Sequence, residues 1–340
     1  MKFLSWPWLL AGLILLSAPV RADFINGRSY LSLAGWAQAN GFTGYTSHHG
    51  TEFILTNRTS RLVFDQDSAD SIVNGVRVRL SFPLAKGGFI SQLDAEKTLR
   101  PLMFPPKPSP KKITTICLDP GHGGKDTGYR VGRFFPRSEK TYTLALGLEL
   151  RRQLQQAGFK VILTRDRDLY PELAGRPELA NRQGADLFIS LHFNSFPADP
   201  ASVQGPETYC ITPLGAASSN DAEGLGAGHS ACPANRVEDK SLLLAYEVQR
   251  SLVRSLGVTD RGVRRARFEV LRTAEMPAIL IEGGYLSHPA EGRKIFDAQW
   301  RQQMASAILR GIVNYQKLTV QRPAAPSGAA SRAIAASPSR

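Results

Sequence analysis

Between Ile113 and Leu318 short apolar runs alternate with longer segments of helical periodicity, and this alternation constrains the fold more than any other feature. The strand-like runs are Ile113–Leu118, Lys160–Thr164, Leu187–His192, Glu207–Ile211 and Ala278–Glu282. Between them lie helical stretches at about Ser138–Ala157, Glu172–Gln183 and Ser241–Leu256, with a last one near Ala298–Lys317. Leu144, Leu148, Leu150 and Leu154 mark the apolar positions of the first helix, and Met304, Ile308, Ile312 and Tyr315 those of the last. Such alternation predicts an α/β sandwich with a largely parallel sheet. In sheets of this kind the site lies beyond the carboxyl ends of the strands.

The flanking sequence divides the chain further. Lys2, the apolar run Phe3–Ser17 and Val20-Arg21-Ala22 have the pattern of a secretory signal peptide, residues 1–22, with cleavage before Asp23. The run is shorter than the roughly 20 residues a spanning helix needs, and no later segment is long and apolar enough to cross a membrane. Residues 23–104 form a small α+β domain of short alternating runs, among them Glu52–Thr56 and Arg61–Phe64, with a turn at Asn74-Gly75. The phrase Tyr30–Ala39 is echoed at Gly88–Lys97, an extended segment followed by a helix. Residues 105–112 carry four prolines and read as a semi-rigid linker. A second domain covers 113–318, and the Ala/Ser/Pro/Arg-rich tail, 319–340, is expected to be disordered.

Formal charge is +13, and Lys2 and Arg21 account for only two of those charges. A basic chain favours anionic partners. Secretion argues against nucleic acid; membrane surfaces or anionic cell-wall and envelope polymers fit better, and a generally basic surface kept for solubility is the plainer reading. Three cysteines occur, an odd count. Cys117 falls in a strand and reads as a small buried residue, while Cys210 and Cys232 flank a Gly/Ala/Ser-rich loop and are expected to form a disulfide. The adjacent His48 and His49 would face opposite ways on a strand, so they read as loop residues without a copper site.

Four polar side chains fall where the sheet's site should be. His122 follows the first strand in the glycine-rich turn Asp119-Pro-Gly-His-Gly-Gly-Lys-Asp126. Glu139 opens the first helix, His192 ends the third strand, and Glu282 ends the last. Two histidines and one carboxylate make a three-ligand set with one position open, the pattern of catalytic zinc. Glu282 suits a general base that then acts as general acid. Taken singly, each has a plainer explanation as a strand cap, a helix N-terminal acid or an arginine partner. No HExxH signature is present.

Read in order, Asp119-Pro-Gly-His-Gly-Gly, Ser138-Glu-Lys140, Ala180-Asn181, Ser190-Leu-His-Phe-Asn194, Arg261-Gly262-Val263, Val270-Leu-Arg272 and Pro277-Ala-Ile-Leu-Ile-Glu282 resemble the zinc N-acetylmuramoyl-L-alanine amidases of the third amidase family. The resemblance runs through nearly all of 113–318. It implies a three-layer sandwich with a mixed, largely parallel six-stranded sheet between helices. It implies zinc held by His122, Glu139 and His192, with Glu282 as the catalytic carboxylate. The implied reaction cleaves the amide between N-acetylmuramic acid and L-alanine of the peptidoglycan stem, in the periplasm or cell wall. Residues 23–104 resemble the N-terminal module of copper amine oxidases.

Some relatives carry a helix that blocks the zinc. Here Pro213–Lys240 is rich in Gly, Ala and Ser, so no tight self-inhibition is expected. His229 reads as a solvated loop residue and His288 as a turn residue. The rival readings are a zinc peptidase acting on stem peptides and a binding module without catalysis. A monomer is favoured.

Overall fold

The computed structural model describes residues 22–106, 108–132, 137–218 and 230–320. Residues 1–21 of the expected signal peptide, the residues beyond 320 and His229 lie outside the described residues. Contacts divide the chain into two compact units, Met1–Gly75 with Leu80–Glu96, and Val76–Arg79 with Lys97–Arg340.

The first unit is built from short antiparallel strands. β1 (Ala22–Ile25) pairs with β2 (Arg28–Ser32), and helix α1 (Leu33–Ala39) follows. β3 (Gly44–His48), β4 (Glu52–Thr56), β5 (Arg61–Asp65) and β6 (Asp70–Val73) form a meander. Its strands alternate as amphipathic strands should: Phe53, Leu55, Leu62 and Phe64 are buried while their neighbours are not. Asn74 and Gly75 both take positive φ. β7 (Val76–Arg79) belongs to the second unit, and β8 (Phe89–Ser91) returns to the first to pair with β2. The echo seen in the sequence becomes a strand followed by a serine-capped helix twice over. Ser32 caps α1, and Ser91 caps α2 (Gln92–Asp94). His48 ends β3 rather than lying in a loop, and His49 turns the chain with φ 53°.

After β7, the second unit continues with α3 (Arg100–Met103) and then alternates as the sequence demands. Its elements are β9 (Thr115–Pro120), β10 (Arg130–Val131), β11 (Arg137–Ser138), α4 (Glu139–Gln156), β12 (Lys160–Leu163), α5 (Gly175–Arg182), β13 (Leu187–Asn194), β14 (Glu207–Cys210), α6 (Glu238–Leu256), β15 (Val263–Arg265), α7 (Glu269–Arg272), β16 (Ala278–Tyr285), α8 (Pro289–Phe296) and α9 (Ala298–Thr319). Its sheet has the order β12-β9-β13-β16-β14-β15-β7. β12, β9, β13 and β16 are parallel, β14 runs antiparallel to β16, and β15 and β7 run with β14. This large mixed sheet, flanked by helices, is the expected α/β architecture. β7 adds a strand from outside 113–318.

Helices α4, α9 and α6 pack together on one face. On the other, Ala180 of α5, Ala234 and Val270 and Leu271 of α7 close over Cys117, Phe188, Ala278 and Leu280. The buried face of α4 is Thr143, Leu146, Gly147, Leu150, Gln153 and Leu154. Leu144 and Leu148, expected to be core residues, are only half-buried. Polar and small residues hide the true stripe: Thr143 donates to Gly121 O, and Gly147 lies under Pro120. Asp297 caps α9 by accepting from Trp300 N at 2.7 Å, Gly257 ends α6 in a left-handed conformation, and His288 caps α8.

The disulfide expected between Cys210 and Cys232 is not formed; all three thiols are free. Cys210 donates to Arg264 O on the neighbouring strand, and Cys232 to Asn235 Oδ1 at the start of a 3-10 turn, Pro233–Val237. Each sulfur is thus engaged by its own local acceptor. Burial pushes the Cys117 thiol up to about 12, consistent with a packed, unreactive side chain. No helix among the described residues is long and apolar enough to cross a membrane.

Candidate metal centre

β9 feeds directly into Gly121-His122, and His122 adopts the left-handed region with φ 62°, uncommon for any residue but glycine. Two buried arginines hold the turn. Arg176 donates to Asp119 Oδ1 at 2.8 Å, Pro120 O at 3.2 Å and His122 O at 3.1 Å. Arg165 donates to Pro120 O at 2.8 Å and Gly121 O at 2.7 Å. Asp119, fully buried, also accepts from the Thr164 and Ser190 hydroxyls. A buried ion pair survives only when its remaining polar atoms are bonded, and here they are. The carbonyls that a left-handed turn would otherwise orphan become acceptors.

Glycine serves a second purpose here. A β-carbon at Gly121 would lie 2.2 Å from the His192 ring. One at Gly128, where φ is 59°, would lie 2.6 Å from Glu139 Oε2 and 2.8 Å from the His122 ring. Both are empty spaces shaped for the ligand side chains. Gly123 admits the Leu169 carbonyl instead.

His122, Glu139 and His192 are brought together as the sequence suggested. His122 Nε2 lies 2.9 Å from Glu139 Oε1. His192 Nδ1 lies 3.2 Å from both Glu139 Oε1 and His122 Nε2. These separations approach the roughly 3.3 Å edge of a tetrahedron with bonds of about 2.0 Å. Two ring nitrogens and one carboxylate oxygen at such edges form a donor set that fits a divalent cation. Glu139, at the first turn of α4, is 5% exposed. Its Oε2 accepts from Tyr129 N and its Oε1 from Phe193 N. Asp126 Oδ2 lies 2.8 Å from His122 Nδ1, and Asp126 Oδ1 accepts from Gly128 N. A carboxylate on the far nitrogen fixes the tautomer that leaves Nε2 for the metal.

Electrostatics follow the geometry. Burial alone would raise the Glu139 carboxyl, but the His122 and His192 rings outweigh it and hold it well below the usual range. Burial lowers His122, but Glu139 and Asp126 outweigh that and raise it.

Glu282 stands outside this trio. It pairs in register with His192 of β13 on one side and Glu207 of β14 on the other, so the three side chains share one face of the sheet. Its Oε2 is buried without a hydrogen-bond partner. Burial first, then the negative charges of Glu139 and Glu207, push its carboxyl well above the ordinary range. A strongly perturbed carboxyl beside a metal-competent cluster is the kind of group found at functional sites.

Several participants were missed in the sequence. Asp126 lay inside the glycine-rich stretch but carried no pattern of its own. Arg165 and Arg176 look like surface arginines. Glu207, 2% exposed, opens a strand and reads there as an ordinary edge residue. No spacing rule distinguishes the two arginines or Glu207, because each is buried through partners far along the chain.

Residues 116–314 match a family model described as N-acetylmuramoyl-L-alanine amidase. N-acetylmuramoyl-L-alanine amidase AmiA of Salmonella typhimurium is 30% identical over 257 residues, covering 68% of this chain and 87% of that protein. An uncharacterized cell wall amidase of Bacillus anthracis is 32% identical over 207 residues. That match covers 59% of this chain but only 35% of the relative, so the chain spans about a third of its length. A crystal structure of an N-acetylmuramoyl-L-alanine amidase from Clostridium difficile superposes with a TM-score of 0.50 at 32% identity, covering 61% of this chain and 98% of the other.

Proposed function

The chain belongs to the N-acetylmuramoyl-L-alanine amidase family, and from that premise we propose that it is a zinc-dependent peptidoglycan hydrolase. It cuts the amide between N-acetylmuramic acid and L-alanine of the stem peptide. The observation that carries this reading is the convergence of His122 Nε2, Glu139 Oε1 and His192 Nδ1 within about one tetrahedral edge of each other.

His122, Glu139 and His192 would hold the ion. When bound, Zn2+ supplies a Lewis acid that acidifies water and polarises a carbonyl. Asp126 keeps the proton on His122 Nδ1, so that Nε2 presents its lone pair. Glu282 accepts the proton from the attacking water and returns it to the departing nitrogen. Its lack of any fixed hydrogen-bond donor leaves the Oε2 lone pairs for that exchange. Arg165 and Arg176 keep the His122 turn from relaxing out of its left-handed conformation.

The same reading places the enzyme outside the inner membrane after signal removal, in the periplasm or cell wall, acting as a monomer. Residues 23–104 then serve as an envelope-binding module of the copper amine oxidase N-terminal type, and the basic surface favours anionic envelope polymers. Retention of the purified protein on insoluble wall material, lost when residues 23–104 are removed, tests that role.

Mass spectrometry of muropeptides digested with the purified protein tests the activity. Free peptides beginning with L-alanine are the expected product. Shortened stems still attached to sugar would instead identify a peptidase and overturn the proposal. Turnover without an added activator is expected, in line with the composition of Pro213–Lys240.

A further inference from the structure

The ladder between β13 and β16 runs in register from Phe188 opposite Ala278 to His192 opposite Glu282. It then slips. The next pair is Asn194 opposite Tyr285, two residues on along β13 but three along β16. The extra residue falls in Gly283-Gly284, where Gly284 has φ 130°. A bulge breaks local ladder bonding. Here the Tyr285 amide turns away to Glu291 Oε2, and backbone pairing resumes at Leu286 N to Asn194 O. The break therefore lies immediately past the two residues whose separation matters most, the ligand His192 and the reacting Glu282.

Glu207 bridges this break. It lies on β14 opposite Glu282. Its Oε1 accepts from Asn194 Nδ2 at 2.7 Å and Tyr285 OH at 3.3 Å, the first residue pair beyond the bulge. Tyr209 OH donates to the same oxygen at 3.0 Å. Its Oε2 is paired with Arg264 Nε at 2.8 Å and Arg261 Nε at 3.3 Å. Asn194 Nδ2 also reaches Tyr285 OH at 3.3 Å. A nearly fully buried carboxylate is costly unless every oxygen is engaged, and five groups engage this one. Four strands, β13 to β16, and the loop before β15 meet at a single side chain.

We propose that Glu207 is a positioning residue for the amidase reaction: it clamps the ends of β13 and β16 across the bulge and so sets the distance between His192 and Glu282. It does not touch the reacting atoms; it acts through Asn194 and Tyr285. The inference rests on the amidase reading above. A displacement of about 1 Å at a reacting group lowers turnover by up to roughly 10²-fold.

The test compares the zinc-loaded wild type with Glu207→Gln, Arg264→Gln and the double variant on a soluble muropeptide. The readouts are kcat, KM, zinc affinity against a chelator and thermal unfolding. Glu207→Gln is expected to lower kcat by about tenfold or more, with KM and zinc affinity within about twofold. If Glu207 served only to neutralise Arg264, the double variant would regain wild-type kcat, which would overturn the proposal. Persistence of the slow rate in the double variant supports it. Should Glu207→Gln fail to fold, Tyr285→Phe removes the hydroxyl that bonds both Glu207 and Asn194. A fall in kcat of about threefold at constant KM supports the clamp, and an unchanged kcat overturns it. Wild-type protein that releases no peptide from muropeptides refutes the amidase reading itself. Wild-type turnover that Glu207→Gln leaves intact refutes the clamp alone.

Discussion

The two sides of the site are built on opposite principles. On the β9–α4 side nearly every polar atom is engaged: Asp119 has three donors, two arginines hold the His122 turn, and Glu139 has a partner at each oxygen. On the β16 side Glu282 keeps an oxygen without any donor, beside a bulge. The first side is arranged to hold a charge still. The second leaves a carboxyl oxygen uncommitted. Saturated hydrogen bonding suits ligands that must not move, whereas a group that must take and return a proton works only if its lone pairs are not already occupied.

Substitutions on the two sides should separate binding from turnover. Glu139→Ala should abolish both, with zinc lost in metal analysis and activity at background. Glu282→Gln should lower kcat by about 10²–10⁴-fold while zinc content stays at wild type. Equal metal loss in both variants would erase the distinction. Gly121→Ala tests how tightly the first side is shaped. With a β-carbon 2.2 Å from the His192 ring, zinc affinity should fall by about 100-fold, measured by chelator competition. Asp126→Asn should cost about 10–100-fold in the same assay, since an amide can still hydrogen-bond Nδ1 but lacks the charge. Unchanged affinity would show that the tautomer is fixed some other way.

The smallest expected effect is on pH. The raised pKa of His122 means that in the metal-free protein its ring keeps a proton above 6.5, and zinc must displace it. Affinity should therefore climb about tenfold per pH unit up to that raised value and then flatten. The metal-free fold carries the same signature. The stabilisation from Glu139, whose pKa is depressed, is present above about 4.5 and lost as pH falls below it. That from His122 is complete below 6.5 and lost as pH rises through the raised value. Unfolding temperatures of chelator-treated protein across this range should peak between the two limits. A flat profile would remove the coupling between the two ligands.

The sequence conveyed the architecture and the trio because both leave a trace along the chain. Strand–helix alternation is a periodicity, His122 and His192 each follow or end an apolar run, and Glu139 opens the first long helix. What it concealed is polarity buried by tertiary partners. Arg176 reads as an exposed helical arginine until Asp119, 57 residues away, is folded against it. Glu207 gains its meaning from Asn194, Tyr285, Arg261 and Arg264, none of them local in any periodic sense. The buried stripe of α4 was displaced for the same reason. Thr143 and Gly147 face inward because the β9 turn needs a hydroxyl and a gap there, and hydrophobic counting gives no weight to either. The Cys210–Cys232 expectation failed on local chemistry, each thiol having an acceptor close by.

The pairing of Ser109 with the end of α9 has a consequence for how firmly the last helix is finished. Ser109 N donates to Thr319 O at 2.8 Å, and Ser109 bridges Val320. The final turn of α9 is therefore fastened by a segment that precedes β9 and lies far back along the chain. A helix end that would otherwise fray is tied down at its last carbonyls, so unwinding there must also release the stretch that leads into β9.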